Sequence, residues 1–249
     1  MKKTYKVIVA YDGTNYQGWQ LQQNGPTIVG TLQKTFTNVF KKEISIFGAS
    51  RTDSGVHALG QVAVFTTTIP APEKTIKNAW NNKLPGNISI QTIEEVKANF
   101  NPHHNVIEKT YEYTFTLTRP SPFVQRYQWH YGWPIDIQKL QRSLSFFIGE
   151  HDFRSFCTGD DHKSTIRTIN NITLEQKESD TYTLIFKGPG FLRYMIRRLT
   201  GALLEVASRP NLPIDYLKKI LATHNPEHTL PTAPSKGLVL VKIKYKDHS

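Results

Sequence analysis

The residues with the clearest chemical potential lie in the segment SRTDSGVHALGQV at 50–62. Arg51 lies two residues before Asp53, and a nearby cation favours the ionised form of a carboxyl group. An ionised carboxylate can act as a nucleophile. The alternative is structural, because the Asp side chain of a turn closed by Gly55 often accepts backbone N–H bonds. The segment alone leaves both interpretations open.

The segment joins two predicted strands in the first half of the chain. Residues 4–11 alternate between apolar and polar types, which predicts a strand, and Thr27 is a suitable N-cap for an amphipathic helix over 28–42. The other elements predicted in this half are strands at 44–49, 61–67 and 88–97 and a helix at 73–83. The order β-α-β-β-α-β is that of a ferredoxin-like unit, and it places Asp53 in a loop between strands.

The second half repeats this order. It is predicted to contain strands at 110–118, 165–177, 181–187 and 238–246 and helices at 135–148, 191–207 and, as an addition, 214–222. We therefore expect an α+β protein of two tandem ferredoxin-like (βαββαβ) halves, with mostly antiparallel sheets and a cleft between them. The expected domains are residues 1–104, which carry Asp53, and residues 105–249, which complete the site.

Composition limits the classes of partner. The 249 residues include 31 Lys and Arg against 20 Asp and Glu, a formal charge of +11. Such a charge favours polyanions, chiefly nucleic acid, so we expect a basic cleft that binds nucleic acid; solubility alone is the other explanation. The chain has one cysteine, Cys157, and lacks an apolar run long enough to cross a bilayer. We therefore expect a cytoplasmic protein without disulfides or a membrane partner.

Motifs distributed over the whole chain carry a resemblance to a known family. The pattern G-x-x-R-T-D-x-G-V-H-A at 48–58 resembles the signature around the catalytic Asp of the TruA family of tRNA pseudouridine synthases. Six further segments match in the same order: YDGTNYQGWQ at 11–20, NNKLPGNI at 81–88, KTYEY at 109–113, HDFRSFC at 151–157, GFLRYMIRRLTG at 190–201 and APSKGLVL at 233–240. Several motifs in one order are far more specific than R-T-D alone.

The resemblance implies an enzyme that isomerises uridine to pseudouridine in tRNA, at positions 38 to 40 of the anticodon stem-loop. The C1′–N1 bond breaks and a C1′–C5 bond forms without gain or loss of atoms, so we expect no metal and no cofactor. The resemblance further implies that Asp53 attacks C1′ or assists an elimination there, two routes that the sequence does not separate. It also implies a homodimer and a basic RNA-binding cleft.

Three further residues receive roles from the same resemblance. Tyr111 stacks on the flipped uracil and takes the proton from C5, Arg197 pairs with Asp53, and Arg51 helps to hold the target nucleotide out of its stack. Without the resemblance, Tyr111 is interpreted as a packed strand residue and the arginines as surface charges. For Arg198 the surface interpretation remains the favoured one.

Two other features bear on the alternatives. His57 is interpreted as a packing or hydrogen-bonding residue, because an Asp-His pair needs a nearby Ser or Cys nucleophile. The segment FNPHHNV at 100–106 departs from the family pattern F-x-A-R-x-x-A, with Pro102 for an alanine and His103 for an arginine, so the RNA contact made there is in question. Two other functions remain open: a noncatalytic RNA-binding protein or RNA chaperone, and a glycosylase that releases free uracil.

Overall fold

The computed structural model describes residues 1–159, 164–227 and 230–246. Its strands and helices, in chain order, are β1 (Lys3–Tyr11), α1 (Ile28–Phe40), β2 (Phe47–Gly48), β3 (His57–Thr67), α2 (Glu73–Asn81), β4 (Ile88–Val96), β5 (Val106–Thr116), β6 (Trp129–His130), α3 (Ile137–Leu144), β7 (Gly149–Asp152), β8 (Ile166–Ile169), β9 (Asn171–Glu178), β10 (Thr181–Gly188), α4 (Met195–Ser208), α5 (Asp215–Thr223) and β11 (Leu238–Tyr245). Contacts divide the chain into two compact units. The first comprises Met1–Val106 with the chain from Val239 onward, and the second Ile107–Leu238.

The first unit is built on a sheet in which β1 lies between β4 and β3, while β2 and β11 both pair with β3. These pairings are antiparallel except that of β3 with β11. Thr27 caps α1 as predicted, because its Oγ1 accepts a hydrogen bond from Gly30 N at 3.2 Å. The core contains Phe36, Phe65 and Trp80, whose rings meet edge to face at centroid distances of 4.9 to 5.4 Å. This core supports the sheet from which the Asp53 loop emerges.

The second unit has an antiparallel sheet in which β10 lies between β5 and β9, and β6 pairs with β5 in parallel. A separate small sheet joins β7 and β8. The helix α4 packs against the core through a broad apolar face, which includes the fully buried residues Leu199, Ala202, Leu203, Leu204 and Val206. Strand β5 and helix α4 therefore form the frame that carries Tyr111 and Arg197.

The prediction of an α+β protein with mostly antiparallel sheets is confirmed. Two strands near the Asp53 loop differ from their predicted bounds. Of the strand predicted at 44–49, only Phe47–Gly48 pairs with β3. Ile44 and Ile46 are buried, and this explains the alternating pattern in the sequence although residues 44–46 form no strand. Strand β3 begins at His57 rather than at residue 61, so the R-T-D motif leads directly into it.

Three differences concern the second half of the chain. The strand predicted at 165–177 is two strands, β8 and β9. Helix α4 begins at Met195 rather than 191, because Tyr194 adopts a left-handed backbone conformation that a helix cannot contain. Strand β11 pairs with β3 in parallel, with Val239 opposite His57, so most of this final strand groups with the first unit and not with residues 105–249. Within the described ranges, every helix is too short or too polar to span a lipid bilayer.

Candidate active site

Asp53 lies in a tight turn that leads into β3. Val56 N donates a hydrogen bond to Asp53 O at 3.1 Å, and Gly55 has a φ of 75°, which glycine adopts without steric penalty. The neighbouring Thr52 is buried, whereas Asp53 is partly exposed. The turn therefore fixes the backbone of Asp53 while its side chain keeps some access to solvent.

The loop that follows β1 holds this turn mainly through backbone hydrogen bonds. Trp19 N donates to Thr52 O at 3.1 Å, and Gly55 N donates to Tyr16 O at 3.1 Å. The hydroxyl groups of Tyr11 and Thr52 share a further hydrogen bond of 2.8 Å. These contacts lie one residue before and two residues after Asp53. The carboxylate is thus positioned by a segment far from it in sequence.

Two glycines of the same loop allow its close approach to the turn. A Cβ atom at Gly18 would lie 2.6 Å from Thr52 O, and one at Gly13 would overlap Val56 O. Gly18 also has a φ of 90°, which other residues rarely adopt. In the sequence, the motif YDGTNYQGWQ is only one of the segments that resemble the family. The structure gives it a physical role, which is to support the Asp53 turn.

The two neighbours of Asp53 singled out in the sequence have different surroundings. His57 is buried and its Nδ1 accepts a hydrogen bond from Gly13 N at 3.0 Å, so its predicted hydrogen-bonding role is confirmed. Arg51 is exposed and lines a cleft of about 240 Å³ together with His103. Arg51 thus lies just before the Asp53 turn. His103, which replaces the arginine of the family pattern, lines the same cleft as Arg51.

The two tyrosines of KTYEY, both in β5, have different surroundings. The Tyr113 hydroxyl donates to Pro234 O at 2.7 Å, its ring has no exposed surface, and burial raises the pKa of Tyr113 well above its ordinary value. The Tyr111 ring is 6% exposed and meets Phe191 edge to face at 5.4 Å. Tyr113 is therefore a structural residue, and Tyr111 is the better candidate for contact with a substrate.

Arg197 is oriented by two contacts within the second unit. Its Nε donates to Ala233 O at 2.8 Å, and its guanidinium carbon lies 4.6 Å from the centroid of the Tyr194 ring. Tyr194 precedes α4 with a φ of 62°, a conformation that costs a non-glycine residue about 1 to 2 kcal/mol. The strained residue thus places an aromatic ring against the guanidinium. Sequence reasoning missed Tyr194, whose only signal was its place in the motif GFLRYMIRR.

The interpretation of Arg198 as a surface charge is wrong. Its Nη1 donates to three carbonyl oxygens, those of Ser155, Cys157 and Pro226, at 3.2, 3.2 and 2.8 Å. The guanidinium therefore joins α4 to two other segments of the second unit, the one at Ser155 and Cys157 and the one at Pro226. The periodicity of α4 could not reveal this role, because all three acceptors are backbone atoms of distant segments.

Lys109 is a further residue near Tyr111 that sequence reasoning did not single out. It lies two residues earlier in β5, and residues two apart on a strand project to the same face. Burial, and secondarily the charge of Arg167, lower the pKa of Lys109 to about 8. Its partner in the register of β10 is Gly188, which has no side chain to cover it. The face that carries Tyr111 therefore also carries a lysine whose ionised form is disfavoured by burial.

Comparison with known proteins matches nearly the whole chain. A family model described as tRNA pseudouridine synthase matches residues 7–105 and 145–246. The chain is 38% identical over 251 residues to tRNA pseudouridine synthase A of Thermodesulfovibrio yellowstonii, covering 96% of this chain and 98% of that protein. It is 36% identical over 244 residues to the protein of the same name from Thermosipho melanesiensis, covering 98% and 100%. A third such relative, from Brevibacillus brevis, is 36% identical over 245 residues, covering 98% and 100%.

Proposed function

Because the chain belongs to the tRNA pseudouridine synthase family and is an RNA uridine isomerase, we propose that Asp53 is its catalytic residue. Isomerisation breaks the bond from C1′ to N1 and forms one from C1′ to C5, while C5 loses a proton and N1 gains one. A carboxylate serves either route, by adding to C1′ or by assisting an elimination. Both routes need the carboxylate in a fixed position. The observation that carries the proposal is the clamped turn, in which Trp19 N and Tyr16 O hold the backbone around Asp53.

Tyr111 is proposed to stack on the displaced uracil and to accept the proton from C5. A phenol suits both tasks, because its face is flat and apolar and its oxygen can titrate. The ring of Phe191 supports Tyr111 from the side. Tyr113 is unsuited to either task, since its ring is fully buried and its hydroxyl is bonded to Pro234 O.

The two arginines are proposed to have separate roles. Arg197 pairs with the catalytic carboxylate, supported by its fixed orientation between Ala233 O and the Tyr194 ring. Arg51 contacts the RNA and helps to keep the target nucleotide unstacked, a displacement that costs a few kcal/mol. Its exposed position beside a cleft is consistent with that role.

The substrate is tRNA, and we propose uridines at positions 38 to 40 of the anticodon stem-loop as the targets. A net charge of +11 supports binding to phosphates along the stem, where shape rather than base identity is recognised. We also propose two ferredoxin-like halves with a basic cleft between them, a cytoplasmic location and a homodimer. The strand order β4-β1-β3-β2 of the first unit supports the ferredoxin-like assignment of that half.

Release of tritium tests the reaction class. The protein is incubated with tRNA carrying tritium at C5 of uridine, and both released tritium and free uracil are measured. Isomerisation predicts that tritium reaches the solvent while the base stays attached to the RNA. Free uracil would identify a glycosylase instead, and binding without tritium release would identify a noncatalytic RNA-binding protein.

A further inference from the structure

Phe47 is an exposed aromatic residue on the short strand β2, close in sequence to the Asp53 turn. Its side chain is 63% exposed, although β2 itself is tied to β3 with Phe47 opposite Val64. The following residue, Gly48, packs so closely on Trp19 that a Cβ atom there would overlap the indole ring. The backbone under Phe47 is therefore fixed while its ring faces solvent.

Phe47 lines two clefts of the first unit. The first, here called the Arg51 cleft, has a volume of about 240 Å³ and is lined by Leu21, Gln33, Arg51 and His103 among others. The second, here called the Lys42 cleft, has a volume of about 580 Å³ and also includes Lys2, Lys42, Glu43 and Phe100. Because Phe47 belongs to both linings, its side chain forms part of the wall between them.

Both clefts combine apolar surface with cationic side chains. Arg51 and His103 face the first, and Lys2 and Lys42 face the second, where Glu43 is the acidic neighbour. An aromatic face flanked by cations is the arrangement with which proteins hold unpaired nucleotides, since every base has a face that can stack and every linkage carries a charge.

The chain between Phe47 and Asp53 is held at several points. Ala49 N donates to Val62 O at 2.8 Å, and Gln61 binds both backbone groups of Ser50 through its side-chain amide at 3.2 and 2.5 Å. Six residues of extended chain span at most about 20 Å. A base on Phe47 would therefore lie within about 20 Å of the Asp53 turn. Because the target uracil is proposed to stack on Tyr111, the base on Phe47 belongs to a neighbouring nucleotide.

We propose that Phe47 is a stacking residue for an unpaired base of the RNA near the target uridine. Arg51 on one side of the ring and Lys42 on the other contact the phosphates that flank this base. The inference rests on the proposed function and adds a base-binding subsite to it. It also suggests a role for His103, which lies beside the same subsite. A histidine there is a weaker cation than the arginine of the family pattern.

Four variants test the subsite. Phe47→Leu keeps an apolar side chain but loses the aromatic face, Phe47→Ala removes both, and Phe47→Trp restores the face. Leu59→Ala is the matched control, because Leu59 is 61% exposed on β3 of the same unit and lines neither cleft. Loss of an exposed side chain has little effect on stability, so all four proteins are expected to fold.

The first readout is the KM for tRNA in the tritium assay. Stacking on an aromatic residue predicts a KM about fivefold to a hundredfold higher for Phe47→Leu and Phe47→Ala, with kcat nearly unchanged. Phe47→Trp and Leu59→Ala should retain the wild-type KM. An unchanged KM in Phe47→Leu, or a raised KM in Phe47→Trp, would overturn the inference. Neither result would contradict the proposed function, which depends on tritium release by the wild type.

The second readout is the fluorescence of short RNA hairpins in which one loop base at a time is 2-aminopurine. At one position the wild type and Phe47→Trp should quench the fluorescence, whereas Phe47→Leu should not. Equal quenching by all proteins at every position would refute stacking on Phe47. A change of oligomeric state in Phe47→Leu, measured by sedimentation, would show instead that Phe47 contacts a second protein chain, and this would also refute the inference.

Discussion

The candidate residues of the two units are held in place by different kinds of atoms. In the first unit, the turn of Asp53 is bonded mainly by backbone groups, those of Trp19 and Tyr16, and glycines allow the approach. In the second unit, Tyr111 and Arg197 rest against aromatic rings, those of Phe191 and Tyr194. The first arrangement depends on backbone hydrogen bonds and on glycines at the points of close approach. The second depends on aromatic side chains.

This difference indicates where each unit is vulnerable. A backbone clamp tolerates many changes of exposed side chains but not an added Cβ atom at a point of close approach. An aromatic support tolerates backbone adjustment but loses its contact when the ring is removed. Substitutions of glycines in the first unit and of aromatic residues in the second should therefore have the larger effects.

The pair Tyr111→Phe and Tyr113→Phe should separate chemistry from packing within β5. Proton transfer by a positioned side chain contributes about 100-fold to 10,000-fold, so Tyr111→Phe should lower kcat within that range with little change in stability. Tyr113→Phe loses the hydrogen bond to Pro234 O, so it should mainly lower the free energy of unfolding by about 1 kcal/mol. Single-turnover rates and urea unfolding measure the two effects. The assignment of the tyrosines would be reversed if Tyr113→Phe had the larger loss of rate.

The variant Gly18→Ala tests the backbone clamp of the first unit. The new Cβ atom would be forced against Thr52 O and would also strain a φ of 90°, so the turn must shift. A displacement of about 1 Å at a catalytic group can cost about 100-fold in rate, and we expect a fall in kcat of that order. Gly86→Ala is the control, because nothing lies within 4 Å of the corresponding Cβ position. Equal rates in both variants would disprove the clamp.

Removal of the Tyr194 ring tests the aromatic support of Arg197. Tyr194→Gly relieves the left-handed backbone but removes the ring that lies against the guanidinium. We expect unchanged or increased stability together with a fall in kcat of about fivefold, since a cation–π contact at a partly exposed site contributes about 1 kcal/mol. Thermal unfolding and steady-state rates measure these two quantities. A variant with reduced stability and normal kcat would show that the ring serves only packing.

Lys109→Met should show its effect in the pH dependence of stability. The pKa of about 8 in the folded protein lies below the value of 10.5 for a free lysine, so the ionised form is disfavoured by folding. At pH 7 the variant should be more stable than the wild type by on the order of 2 kcal/mol. Between pH 8 and 10.5 the folded wild type loses the proton and this difference should shrink. Urea unfolding at pH 7 and pH 10 measures this difference in the free energy of unfolding. A difference that is the same at both pH values would contradict the prediction.

The sequence predicts those parts of the fold that depend on neighbouring residues. Strand β1 and helix α1 follow directly from alternation and from the Thr27 cap, because burial and capping act within a few residues. The parallel pairing of β11 with β3 depends on contacts between distant segments, which no local pattern encodes. The left-handed conformation of Tyr194 is not signalled by its residue type, because glycine is the residue that usually adopts it. These two features explain the differences at the start of α4 and in the grouping of the last strand.

For the candidate site, the sequence supplies residue types and the resemblance supplies their roles. Asp53, Arg51, Tyr111 and Arg197 remain predictions as functional residues. What the sequence could not supply is how they are supported. Gly18 and Thr52 are far apart in the sequence, so no local pattern predicts that they meet. Tyr194 and Arg197 are close in the sequence, but no residue type signals the left-handed conformation that brings the ring against the guanidinium.

The central claim, that the Asp53 carboxylate performs the chemistry, is tested most directly by the single-turnover rate of Asp53→Asn at saturating tRNA. The amide has nearly the same shape but cannot act as a nucleophile, and it replaces no phosphate contact. We predict that conversion to pseudouridine falls below detection while the affinity for tRNA stays within a few-fold of the wild type. Conversion at the wild-type rate in this variant would contradict the account.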